Sequence, residues 1–126
     1  MATIKVSGKF PIDAGNTYIL GSPDALTGGA LTLQLVNDNT LSASIVVSGR
    51  SLQGDALTDD VAFVPIVYKK LYLNGSVGDG SLASTAITTN SLIEIPASGM
   101  QIALVVTYTS GSASGYVMPT TGGAAV

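Results

Sequence analysis

The chain has no histidine, no cysteine and no tryptophan, and only 10% of its 126 residues are charged, against roughly 25% in an ordinary soluble domain. Each absence closes off some chemistry. Without histidine or cysteine there is no Ser-His-Asp or Cys-His nucleophile pair. Nor is there a zinc centre of the usual nitrogen and sulfur kind, or a disulfide or redox dithiol. Glu94 is the single glutamate, so a paired-glutamate hydrolytic site is excluded. No catalytic constellation is visible, and neither an enzymatic activity nor a cofactor is expected. The chain must fold by packing alone, or by packing plus assembly.

Positive charge is equally scarce. The five basic residues, Lys5, Lys9, Arg50, Lys69 and Lys70, are spread along the sequence. They make no basic patch to offset phosphate charge, so nucleic acid is not an expected partner. The longest apolar-rich stretch, Val61 to Tyr68, is interrupted by Pro65 and falls far short of the roughly 20 residues of a membrane span. The N-terminus has no apolar run of signal-peptide length, which leads us to expect a protein made in a cytoplasm without secretion.

What the sequence does have is alternation. β-Branched residues are frequent, and Gly, Asn, Asp and Ser recur at short intervals, the pattern of an all-β fold. Ala30 to Val36 alternates cleanly, with Leu31, Leu33 and Leu35 on one face and Thr32 and Gln34 on the other. Leu41 to Val47 repeats this, and the two are expected to form a hairpin with a polar tip at Asn37-Asp38-Asn39. Thr3 to Phe10 reads as a first strand, bent at Gly8 and ended by Pro11. Thr17 to Leu20, Val61 to Leu73 with a break at Pro65, Leu82 to Thr89, Ser91 to Ile95 and Met100 to Thr109 follow. A short closing strand is expected at Tyr116 to Met118. The expectation is one β-sandwich or jelly roll of about eight short antiparallel strands. It divides into an extended N-terminal arm over residues 1–16, a body over 17–118 and a flexible Gly/Ala tail over 119–126.

Few residues invite a site. Asp55, Asp59 and Asp60 crowd one loop, but their spacing does not match an EF-hand and a solvated acidic loop explains them better. Asn37, Asp38 and Asn39 are better explained by turn formation. Gly78-Asp79-Gly80 lacks the strand-to-helix context of a phosphate loop. Tyr68 and Tyr72, flanking Lys70 on one face, make a candidate stacking platform for sugar rings, against the plainer reading of half-buried strand packing. The outer faces carry Ser, Thr, Ala and Val where Lys and Glu would normally stand. Such a surface is poorly protected against association. Between a monomer kept apart by hydration and a subunit covered by neighbours, the charge deficit favours the second.

From Leu41 to Val117 the chain resembles small structural proteins of tailed phages and prophages. The resemblance rests on Val47-Ser48-Gly49 at a strand end, a Val64-Pro65 break, and the threonine-rich Ala86-Ile87-Thr88-Thr89-Asn90. It continues through IEIPASGM (Ile93 to Met100) and VTYTSGS (Val106 to Ser112). Those chains look like capsid decoration, or cement, proteins, or modules of head and tail appendages. The resemblance implies a subunit on the outer surface of the virion, bound to the major capsid protein and to itself as a homotrimer. Its candidate interface residues are Ile4, Val6, Phe10, Tyr68, Lys70 and Tyr72. The alternative is a carbohydrate- or receptor-binding module of an appendage. One departure stands out: the strand before the YTSGS turn often carries an arginine in such proteins, whereas Gln101 to Val105 has no charge.

Overall fold

A computed structural model of the chain describes residues 2–20, 30–37, 40–51, 62–96 and 100–120. Among them there is no helix. Twelve strand segments form two sheets packed face to face as a β-sandwich. The smaller sheet runs β1 (Thr3–Val6), β3 (Thr17–Leu20), β11 (Met100–Ser110), β5 (Ser42–Ser51), β6 (Val64–Pro65). The larger runs β2 (Gly8–Ile12), β12 (Ala113–Thr120), β4 (Ala30–Val36), β10 (Ser91–Pro96), β7 (Tyr68–Leu73), β8 (Ser76–Val77). A short β9 (Leu82–Ala83) lies on the same edge of β7 as β8. Every pairing is antiparallel except β1 with β3, which is parallel.

The alternating segments form strands because each side of the pleat meets a different environment. In β4, Leu31, Leu33 and Leu35 are buried while Gln34 and Val36 are exposed. In β10, Ile93 and Ile95 point inward and Leu92 and Glu94 outward. Opposite them stand Ile45 and Val47 of β5 and Ile102, Leu104 and Val106 of β11. Burying each such side chain contributes about 1.5–3 kcal/mol, and this layer holds the sheets together.

Four expectations are revised. First, Ala30 to Val36 and Leu41 to Val47 do not form a hairpin: β4 lies in the larger sheet and β5 in the smaller. Their connection crosses the sandwich, and the Asn37 side chain, buried at the crossing, bonds both the amide and the carbonyl of Leu41. Second, Pro11 does not end the first strand. The chain bends at Gly8, whose φ of 61° is left-handed, leaves the smaller sheet as β1 and enters the larger as β2, through Ile12. Pro11 is tolerated because β2 is an edge strand. Residues 3–12, read as an arm, are thus paired into both sheets. Third, Leu82 to Thr89 is mostly irregular, with only β9 and one isolated bridge, Ile87 to Ile45. Fourth, β12 runs on to Thr120, beyond the expected closing strand. Residues 121–126, Asp38 and Asn39, and the acidic loop with Asp55, Asp59 and Asp60 lie outside the described residues.

Candidate interaction surface

The two outward faces of the sandwich are unlike. On the smaller sheet the outward row Lys5, Ile19, Ala103, Ser48, Pro65 crosses all five strands. Its centre is closed: Ile19 is 2% exposed, Ala103 0% and Ser48 2%. Beside it Arg50 donates from Nε to Gln101 Oε1 at 2.8 Å, and its guanidinium lies 4.3 Å from the ring centroid of Phe63. Gln101 is buried, and its Nε2 makes no hydrogen bond. Arg50 of β5 stands directly opposite Gln101 of β11.

The larger sheet is open. Directly opposed residues of neighbouring strands share a face, so the registers define a row Lys9, Tyr116, Gln34, Leu92, Tyr72, Val77 across six strands. A second row, Met118, Thr32, Glu94, Lys69, Leu82, runs beside it. Val77 is 84% exposed, Met118 70% and Leu82 63%. Lys9 lies over the Tyr116 ring, 5.8 Å from its centroid. Two shallow depressions indent this face and share Gln34 and Leu92. One, of about 450 Å³, is walled by Tyr72 with Val36 and Asn90. The other, of about 250 Å³, is walled by Tyr116 with Lys9, Thr32 and Met118.

The six residues singled out from sequence are not brought together. Phe10 and Tyr68 are core residues, Phe10 at 5.6 Å from the Tyr18 ring and Tyr68 fully buried. The Tyr68 hydroxyl donates to the Thr85 carbonyl at 2.5 Å. Neither presents a side chain to a partner. Ile4 is exposed and Val6 half-buried on the β1 edge. Tyr72 faces outward, opposite Leu92, whereas Lys70 stands opposite the inward Ile93. A bulge at Leu71 changes the phase of β7 between them, so Tyr68 and Tyr72 do not share a face. Lys70 reaches Asp79 at 3.8 Å on the loop between β8 and β9. Asp79 also accepts from the Ser81 hydroxyl at 2.6 Å and the Ser81 amide at 3.0 Å. These bonds, with Lys70 as a smaller contribution, hold its carboxyl below the usual range. The residues that sequence reading passed over are Gln34, Leu92 and Tyr116, whose proximity exists only through the register of β10, β4 and β12.

No group of three or more potential metal ligands occurs among the described residues. Comparison of the chain with family models, with curated proteins and with solved structures gives no match.

Proposed function

We propose that the chain is a virion structural protein, a capsid decoration protein that binds the outer surface of the major capsid protein lattice and stabilises the shell. The observation that supports it most is the double free edge. β1 and β2, separated by one residue, are the terminal strands of their respective sheets. Among the described residues, one side of the sandwich therefore offers unpaired backbone groups from both layers. Edge strands left open in this way accept a strand from a neighbouring chain. The opposite side is blunted, since β6 is two residues long and contains Pro65, which has no amide to donate. The scarcity of charge and the resemblance of Leu41 to Val117 to decoration proteins point the same way. Binding to the assembled lattice but not to free coat subunits stabilises the shell by mass action, with a homotrimer at a three-fold position as the favoured form.

Co-sedimentation with purified shells lacking the protein tests this. The wild-type chain is expected to pellet with the shells. Ile4→Asp, at an exposed edge position, is expected to bind at least tenfold more weakly with unchanged circular dichroism. Equal binding by Ile4→Asp, or no pelleting of the wild type, would refute the edge-docking reading.

A further inference from the structure

We propose that the open face of the larger sheet binds an extended neutral oligosaccharide, laid along the row from Tyr116 through Gln34 and Leu92 to Tyr72. This reading is independent of the capsid proposal, which uses the β1 and β2 edges.

The chemistry of the row carries the argument. A pyranose ring presents flat apolar C–H faces and a rim of hydroxyls. It is held by aromatic faces beneath and by amides or hydroxyls beside it. The row has aromatic groups on β12 and β7 and a primary amide between them. Tyrosine suits this role because it joins an apolar ring to a polar tip. Among the described residues, the Gln34 amide and the hydroxyls of Tyr72 and Tyr116 make no hydrogen bond within the chain, which leaves all three for a ligand. Each tyrosine walls one of the two depressions, and Gln34 belongs to both. The site is thus a pair of contiguous subsites with a shared hydrogen-bonding centre.

Dimensions and charge select the occupant. Tyr116 and Tyr72 are three strand spacings apart, about 14 Å, a span that takes several linked rings. Six strands make the face about 24 Å wide, and the positions of Val36, Gln34 and Thr32 make it about 14 Å deep. That area, about 340 Å², is less than half of the roughly 800 Å² per partner that a stable protein interface buries. It is ample for a ligand. The charges on the face are Lys9, at the end of the row and over the Tyr116 ring, and the directly opposed Glu94 and Lys69 of the neighbouring row, which are opposite in sign, so the face selects no net ionic group. A row that runs straight across successive strands favours an extended chain, which points to β-1,4-linked chains over helically wound ones.

Cellohexaose and chitohexaose are the probes. Titration of either into the labelled protein, followed by amide NMR, is expected to shift the Gln34 side-chain amide and the backbone of β12, β4 and β10 in a saturable manner. Tyr116→Ala and Tyr72→Ala are each expected to weaken binding at least tenfold. Val46→Ala, on the other sheet, should leave it unchanged. Circular dichroism establishes that each variant is folded. The proposal is overturned if neither hexasaccharide binds, if binding survives both tyrosine substitutions, or if the shifts depend on protein concentration alone, which would make the face a contact between copies of the chain. Loss of sugar binding with shell binding intact would separate this site from the docking edges.

Discussion

Gly115 of β12 lies directly across from Phe10 of β2, and the Phe10 ring fills the space that a side chain on Gly115 would need. A Cβ built there would stand 2.6 Å from Phe10 Cζ, well inside contact distance. The ring continues to Tyr18 on β3 of the opposite sheet, so this contact closes the sandwich at the side where β1 and β2 are the terminal strands among the described residues. Gly115→Ala is expected to cost about 1–3 kcal/mol through displacement of the ring, and Phe10→Ala about 3–5 kcal/mol through the cavity it leaves. Chemical denaturation of the two variants measures both. A neutral Gly115→Ala would mean that β2 is not packed as described.

The buried pair on the other sheet gives a second test. Arg50 Nε donates to Gln101 Oε1 at 2.8 Å, and removing a buried partner leaves a desolvated donor at a cost of about 1–3 kcal/mol. Gln101→Leu is therefore expected to be destabilising, toward the lower end of that range. The loss is moderated because Gln101 Nε2 is already without a hydrogen bond. Denaturant midpoints decide it; a Gln101→Leu chain more stable than wild type would show that the unpaired amide outweighs the bond to Arg50.

How far the sequence carried is clearest in particular strands. The clean alternation of β4 and β11 is enough to indicate an all-β sandwich and the inward residues of those two strands, because a two-residue period can satisfy only one buried face. Alternation does not say which sheet a strand joins, and so β4 and β5 read as a hairpin when they face each other across the core. Nor does it register a bulge. The single extra residue at Leu71 turns Tyr72 outward while Tyr68 stays in the core, which undoes the platform that the spacing of the two tyrosines suggested. Tyr116 and Gln34 are distant in sequence, and only the pairing of β12 with β4 makes them neighbours. A free edge is likewise invisible until the strand order is known.

Asp79 provides a pH-dependent readout. Its carboxyl is held below the ordinary value mainly by the Ser81 hydroxyl, then by the Ser81 amide and Lys70. A carboxylate with a lowered folded-state pKa contributes stability that is present above its unfolded value of about 3.9 and is lost as pH falls through the folded value. NMR titration is expected to place the Asp79 midpoint below the ordinary aspartate value of about 3.9. Ser81→Ala should move it upward more than Lys70→Met does. The reverse order would mean that the ion pair dominates.

The proposal that this chain covers, and is covered by, neighbouring proteins of a virion shell is tested most directly by quantitative mass spectrometry of virus particles purified from cells that carry its gene. The account predicts many copies per particle, in a fixed ratio to the major capsid protein. Absence from the particles, or only a few copies in each, would contradict it.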